Sequence, residues 1–434
     1  MTSDRDKQCV SVDLNTKKPK VSFKTFGCRL NQAETAEIAS SFISAGYKIV
    51  PFGSSSNVCV IHTCSVTAKA ESESLRTVRK IKSAYPSTTI VITGCTAEVV
   101  PAAKLHEMGA DMVISQKDKY KIPLILANNK TASCAKKSLL PFFENTRALL
   151  KIQNGCNFFC SYCIVPYARG PACSLPYDEI MSKAKKMADN GFKEIVITGT
   201  NIGTYNYENK NLIHLLEGIE KIQGIERIRL SSIELSTIEY PLFHYFTSSK
   251  KLCKYIHIPL QSGDDEILKA MNRRYSSLDY RRAIEKIIEY IPNIGLGTDV
   301  IAGFPGESNK AFEATYNLIS LLPFSNIHVF PFSLRQLTKA SKLNDRVHPS
   351  VIKTRVKKLL ALSQEKQREF AEKFIKKTVN VLIEKTNKKG SEGWSEEYVY
   401  IEIPDKNIKI NNIVKAIPLR YEDSRLIADF KDYL

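Results

Sequence analysis

Three cysteines fall within eight residues in the run Cys156-Asn157-Phe158-Phe159-Cys160-Ser161-Tyr162-Cys163, spaced C-x3-C-x2-C with an aromatic residue just before the third. Thiols this close cannot all pair as disulfides, because one is left over. They can fold round one face of an iron–sulfur cube, and a 4Fe-4S cluster takes four ligands. The missing fourth leaves one iron free for something that is not protein. That open iron is the expected reaction centre.

The rest of the chain has to supply a compartment and a partner for such a site. Its 434 residues suggest roughly three domains at about 150 residues each. With 43% hydrophobic and 25% charged residues, it has an ordinary globular composition. Residues 1–20 are polar and lysine-rich, read as a disordered tail without the apolar core of a signal peptide. No apolar run approaches the roughly 18 residues that span a bilayer. A cytoplasmic chain with no membrane contact is expected, and there eleven cysteines read as ligands or catalytic groups before disulfides. Sixty-three Lys and Arg against 45 Asp and Glu give a net charge of +18, which favours an anionic partner, nucleic acid first. An evenly scattered solubilising surplus is the plainer explanation of the same number.

From residue 21 short apolar strands alternate with helical stretches, the signature of βαβ units on a parallel sheet. Strands are expected at Val21–Phe26, Val58–His62, Ile90–Thr93 and Met112–Ser115. The helices are expected at Ala33–Ala45, Ala68–Ala84 and Ala97–Met108, with a short one near 118–127. Cys28, Cys64 and Cys95 each follow one of the first three strands, 36 and 31 residues apart. The carboxyl ends of parallel strands share one edge, where ligands bind, so the three thiols should converge into a second three-ligand site. Three unrelated buried cysteines acting as small hydrophobes are the alternative. Cys9, Cys59, Cys134, Cys173 and Cys253 show no such pattern.

A polar linker is expected over 128–147, and a second βα series follows. Its strands lie near Leu149–Gln153, Glu194–Thr198, Arg227–Ser231, Tyr255–Pro259, Gly297–Ile301 and Ile327–Phe332, with helices such as Tyr177–Asp189 and Leu278–Tyr290 between them. Six repeats suggest a parallel partial barrel with its site at the carboxyl ends of the strands. Pro349–Lys377 reads as a long amphipathic helix. Over 342–377 eleven Lys and Arg face four acids, either a phosphate-contacting surface or a solvated helix face. Residues 378–434 turn to strand-like runs (Val379–Ile383, Tyr398–Ile403, Ile413–Pro418, Arg425–Phe430) and suggest a small β-barrel of nearly balanced charge.

These motifs together resemble the radical SAM methylthiotransferases over residues 21–434. The N-terminal matches are Thr25-Phe26-Gly27-Cys28, His62-Thr63-Cys64-Ser65-Val66 and Thr93-Gly94-Cys95. In the barrel they are Cys156–Cys163, Val165-Pro166-Tyr167-Ala168-Arg169-Gly170, Thr198-Gly199-Thr200-Asn201-Ile202-Gly203 and Arg229-Leu230-Ser231-Ser232-Ile233-Glu234. Two more follow, His257-Ile258-Pro259-Leu260-Gln261-Ser262-Gly263 and Gly297–Glu307. Cys28-Arg29-Leu30-Asn31-Gln32-Ala33-Glu34-Thr35 looks most like the branch acting on N6-threonylcarbamoyladenosine at tRNA position 37. The alternatives are the branches acting on isopentenyladenosine or on a ribosomal protein.

The resemblance implies a flavodoxin-like α/β domain over 21–130, a radical SAM partial (β/α)6 barrel over 148–377 and a TRAM β-barrel over 378–434. It implies two 4Fe-4S clusters, one on Cys156, Cys160 and Cys163 and one on Cys28, Cys64 and Cys95. S-adenosylmethionine would chelate the open iron of the first and yield a 5′-deoxyadenosyl radical able to take hydrogen from adenine C2. The second cluster would carry the sulfur, and a second S-adenosylmethionine would donate the methyl. Tyr162, Gly199, Thr200, Asn201, Ser232 and Glu234 are the expected S-adenosylmethionine contacts. The implied partners are a tRNA anticodon stem-loop, an electron donor such as a flavodoxin or ferredoxin, and a sulfur donor.

Three departures from the family pattern stand out. His62 replaces an asparagine, as strand packing or as a hydrogen-bond donor behind the cluster. Ser174-Leu175 replaces a Ser-Arg pair, and Gln336-Leu337 replaces a Pro-Gly turn. The rival classes fit less well. A non-catalytic iron–sulfur protein needs four ligands per cluster, a zinc site needs paired C-x2-C spacings, and an RNA-binding module leaves six placed cysteines without a task.

Overall fold

The computed structural model of the chain describes residues 18–127, 146–405 and 407–434. Most of the expected tail and linker, with Cys9 and Cys134, lies outside the described residues.

Val58–Thr63, a β-branched run with every residue buried, lies at the centre of a five-stranded parallel sheet. A strand covered on both faces reads as such a continuous apolar run. The order across the sheet is Lys48–Ile49, Lys20–Thr25, Val58–Thr63, Thr89–Gly94, Met112–Val113. The helix Arg29–Ser44 follows the first strand in sequence. Ala68–Ala84 starts where Thr67 Oγ1 accepts from the Ala70 amide at 3.2 Å. The expected helix Ala97–Met108 is two short ones, Cys95–Val99 and Ala102–Glu107, because Pro101 between them has no amide hydrogen to continue the ladder. The strand Lys48–Ile49 was not expected, since two residues show no periodicity.

The second series forms six parallel strands in sequence order, Arg147–Lys151, Glu194–Thr198, Arg227–Leu230, Tyr255–His257, Gly295–Ala302 and Asn326–Pro331. Parallel bridges Ile228 to Leu252 and Ser232 to His257 join its two halves. The two faces differ sharply. Ala148, Leu150, Ile195, Ile197, Ile228, Leu230, Ile256, Leu296, Val300 and Ile327 point one way and form the main core under the helices. The alternate positions include Arg147, Glu194, Arg227, Arg229, Tyr255, His257, Asp299 and His328, so the inner face of this partial barrel is polar.

Residues 379–433 close a five-stranded barrel with its own apolar core. Beside the expected strands it contains Ser391–Ser395, hidden in the sequence by a glycine and three polar residues. This barrel stoppers the amino end of the larger one. Arg227 donates to the Trp394 carbonyl at 3.2 Å, and Arg229 donates to those of Ser395 and Glu396 at 3.0 Å each. Glu194 neutralises both arginines. Burial works to raise its carboxyl, yet Arg229 and Arg227 outweigh that and hold it at about 2. Tyr398 completes the stopper, with its ring on Tyr255 at 4.7 Å and Arg29 of the first domain donating to its hydroxyl.

The long helix runs Pro349–Glu372, and its basic face is partly committed. Arg355 is buried and donates to the Glu307 carbonyl and carboxylate, while Lys358, Lys366 and Arg368 pair with acids. No helix is long and apolar enough to cross a membrane among the described residues.

Candidate active site

The cysteine loop begins where Gly155 turns at φ +71°, and a Cβ there would stand 1.9 Å from the Pro171 carbonyl oxygen. Only glycine lets the chain pass, and the Cys156 amide then donates to the Gly170 carbonyl at 3.1 Å. The segment 270–273 holds the far side of the loop. The Ser161 amide donates to Met271 O at 2.9 Å, and the Asn272 side chain donates to the Phe158 and Phe159 carbonyls at 3.2 and 3.1 Å. Arg273 then crosses to the cysteines. Its Nη1 lies 3.4 Å from Cys160 Sγ and 3.5 Å from the Tyr162 hydroxyl, while Nη2 reaches both Glu234 oxygens at 2.7 and 2.6 Å. Burial pushes the Glu234 carboxyl above its ordinary value although Arg273 opposes it.

Gln153, just ahead of the loop, ties it to the next strand end. Its Oε1 accepts from the Thr200 and Asn201 amides at 3.0 and 3.1 Å, and its Nε2 donates to the Gly155 carbonyl at 2.8 Å. Gly199 packs against that amide, where a Cβ would lie 3.1 Å from Oε1. Asn201 Oδ1 accepts from the Glu234 amide and the Thr237 hydroxyl, 3.4 Å each. Tyr162, Gly199, Thr200, Asn201 and Glu234 are thus brought to one mouth, and Ser232 stands exposed beside Glu234. The Thr200 hydroxyl is buried there with no hydrogen-bond partner.

Cys28, Cys64 and Cys95 converge as well. Gly27 turns at φ +90°, and its missing Cβ would lie 2.7 Å from Cys64 Sγ, so glycine lets the Cys28 loop close on Cys64. Burial pushes the Cys64 thiol up to about 12, and Cys95 and Cys28 add to the rise. Cys163 is raised to about 12 in the same way, by burial and then by Cys160. Such thiols stay protonated until a cationic centre replaces the proton. Among the described residues, only His257, Asp299 and His328 bring three ligand atoms within 4.8 Å of one another. Among the described residues neither cysteine triad brings its three sulfurs within 4.8 Å of one another.

One residue joins the two triads. Arg169, in the helix Val165–Arg169 after Cys163, donates to Asn154 Oδ1 at 2.7 Å, just before the cysteine loop. It also reaches both oxygens of Glu34 at 3.1 Å and donates to Asn31 Oδ1, both in the helix that Cys28 caps. Its charge acts directly on the Cys95 thiol. Glu34 is wholly buried and also binds Lys119 at 2.7 Å and Lys151 at 2.6 Å. His62 belongs to this network. Its Nδ1 sits 2.8 Å from the Thr35 hydroxyl, and burial lowers it to about 3, so the ring is neutral.

The other departures also find partners. Ser174 Oγ accepts from the Asn206 amide at 3.0 Å, and Leu175 packs on the main core. In the 332–338 loop Ser333 Oγ caps the Ala68 amide at 2.9 Å, and Arg335 pairs with Glu71. Gln153, Arg169, Arg273, Asn31 and Glu34 were given no role from sequence. The available signal was their position beside a cysteine motif.

Known proteins resemble this chain over most of its length. The Radical SAM superfamily profile matches residues 150–319, and that of the uncharacterized protein family UPF0004 matches 20–115. The threonylcarbamoyladenosine tRNA methylthiotransferase of Aquifex aeolicus is 36% identical over 416 residues, 92% of this chain and 100% of that protein. Its counterpart in Bacillus subtilis is 34% identical over 418 residues, 91% and 93% of the two chains. The tRNA-2-methylthio-N(6)-dimethylallyladenosine synthase of Acetivibrio thermocellus is 32% identical over 397 residues, 86% and 83%. Among solved structures, the radical S-adenosylmethionine methyltransferase TsrM of Kitasatospora setae superposes with a TM-score of 0.54 at 12% identity, covering 73% of this chain and 75% of that one, and shares the fold. A relative matched along its entire length, together with the two profiles, places the chain in the family of radical S-adenosylmethionine methylthiotransferases, enzymes of S-adenosylmethionine and 4Fe-4S clusters.

Proposed function

We propose that the chain inserts sulfur and then methyl at C2 of N6-threonylcarbamoyladenosine at position 37 of tRNA. The observation that carries this reading is Arg169, which ties the Cys28, Cys64 and Cys95 site to the Cys156, Cys160 and Cys163 site. A radical made at one triad can then be spent beside sulfur held at the other. Cys156, Cys160 and Cys163 would hold one cluster with an iron left open, and Cys28, Cys64 and Cys95 the second. When bound, S-adenosylmethionine and the clusters supply a radical able to take the adenine C2 hydrogen, the sulfur and the methyl group.

The chain's own residues bind and shield that chemistry. Arg273 donates toward Cys160 and fixes Glu234 by two contacts, so the carboxylate can meet a cationic amino group. The Thr200 hydroxyl is free to hydrogen-bond a ligand, and Tyr162 anchors the loop on the apolar cluster of Ile267, Met271, Ile301 and Phe304. Position 37 lies in a single-stranded loop, so its base can be splayed into the mouth without melting a duplex. A flavodoxin- or ferredoxin-class reductant and a sulfur donor complete the reaction, in the cytoplasm where tRNA is available.

Nucleoside mass spectrometry of tRNA, with the gene present and deleted, tests the assignment. The 2-methylthio derivative of N6-threonylcarbamoyladenosine should vanish on deletion and return with the wild-type gene, but not with Cys64→Ala or Cys160→Ala. Loss of only the isopentenyl derivative would move the activity to the other nucleoside. No change in either would remove tRNA as the substrate.

A further inference from the structure

The polar inner face of the large barrel holds one cluster that the cysteine chemistry does not use. His257 ends the fourth strand, Asp299 sits in the fifth and His328 in the sixth. Asp299 Oδ1 is 3.0 Å from His257 Nε2 and 3.1 Å from His328 Nδ1, and the three ligand atoms lie within 4.8 Å of one another. Two bonds of about 2.0–2.2 Å to a single ion put their donors about 3–4 Å apart, and the 3.0 and 3.1 Å pairs lie at the short end of that span.

Asp299 Oδ1 shares a hydrogen bond with His328 Nδ1, and three features bear on what else the group can hold. His257 is 5% exposed, and its Nε2 has no hydrogen-bond partner despite lying 3.0 Å from Asp299 Oδ1. The His257 Nε2–H axis therefore does not run straight to that oxygen. Each ring also has a partner on its far nitrogen, the Tyr255 hydroxyl 3.4 Å from His257 Nδ1 and the Asn326 amide 3.2 Å from His328 Nε2. The Tyr255 oxygen can take the far N–H of His257, as metal-binding imidazoles require, whereas the Asn326 amide nitrogen donates to His328 Nε2 and would have to turn its Oδ1 to that nitrogen when Nδ1 holds a metal. Room for the first pair exists only because residue 297 is glycine, where a Cβ would lie 2.1 Å from the Tyr255 oxygen and 2.5 Å from His257 Nδ1.

We propose that His257, Asp299 and His328 form a mononuclear site for a first-row divalent transition metal, separate from both cysteine triads. Two imidazoles and one carboxylate are the donor set of catalytic zinc and of non-haem iron(II) sites that keep positions open. Two imidazoles favour zinc, iron or nickel over magnesium and calcium, which prefer oxygen. The side chains of Asp299 and His328 are 22% and 49% exposed, so the free positions face the barrel lumen.

The test uses the reconstituted holoenzyme with both clusters in place. Wild-type protein incubated with zinc sulfate and passed through gel filtration should retain about one zinc per chain beyond its iron. Its zinc K-edge spectrum should show nitrogen and oxygen neighbours at about 2.0–2.1 Å. His328→Ala and the isosteric Asp299→Asn should retain less than about a tenth as much at unchanged iron content, a loss of 1.4 kcal/mol or more. The iron content shows that the variants are folded. The proposal is overturned if wild-type protein retains no zinc, if the edge shows sulfur at about 2.3 Å, or if both folded variants bind as wild type does.

Discussion

At the scale of single residues, Glu34 carries the heaviest electrostatic load in the interface between the first two domains. Burial works to raise its carboxyl, but Arg169, Lys119 and Lys151 outweigh that and hold it well below the usual range. Glu34→Gln leaves three buried cations without their anion and should lower stability by about 3–5 kcal/mol, measured by urea unfolding. The sign in pH follows from the depressed value. The ion pairs contribute fully above the unfolded carboxylate range near pH 4.5 and lose their contribution as pH falls toward the folded value. The wild-type urea midpoint should therefore drop more steeply than that of Glu34→Gln between about pH 4.5 and 3. Gln153→Ala strands the Thr200 and Asn201 amides at the mouth. Equilibrium dialysis should show a loss of about tenfold or more in S-adenosylmethionine affinity, since each stranded buried donor costs about 1–3 kcal/mol.

At the scale of elements, close approaches between backbones decide the geometry. Gly295 opens the fifth strand of the large barrel, and a Cβ there would lie 2.1 Å from the Glu397 carbonyl oxygen of the terminal barrel. Gly295→Ala should therefore loosen the stopper and make the segment around 394–398 a new cleavage site in limited proteolysis, with the 379–433 core left resistant. Most elements were legible in the sequence, because burial on both faces or on one stripe writes a period into it. Ala68–Ala84, Tyr177–Asp189 and Glu194–Thr198 fall where expected. Lys48–Ile49 and Ser391–Ser395 did not show, since pairing with a neighbour makes them strands and no pattern of their own does.

At the scale of the whole molecule, the question is whether the two cysteine sites act together. Arg169→Gln keeps the six cysteines and should leave about eight irons per chain. Cleavage of S-adenosylmethionine should persist, while methylthio product falls at least tenfold. Loss of cleavage as well would mean that Arg169 serves the first site alone. In the same assay Cys64→Ala and Cys160→Ala should each halve the iron content.

The sequence by itself determined the repeat of strands and helices, the three cysteines at strand ends and the C-x3-C-x2-C loop. These are local facts of spacing and periodicity, and the resemblance to a family rests on them. The tertiary structure decided what is contacted across domains. Glu34 and Arg169 are 135 residues apart, and Arg229 and Ser395 are 166 apart. His257, Asp299 and His328 come together only through strand register. A charged residue in a strand pattern reads as solvent-facing until its partner is known. Here the partners lie far off in sequence, several of them on other domains, and they turn apparent surface charges into a buried network, a stopper and a polar lumen.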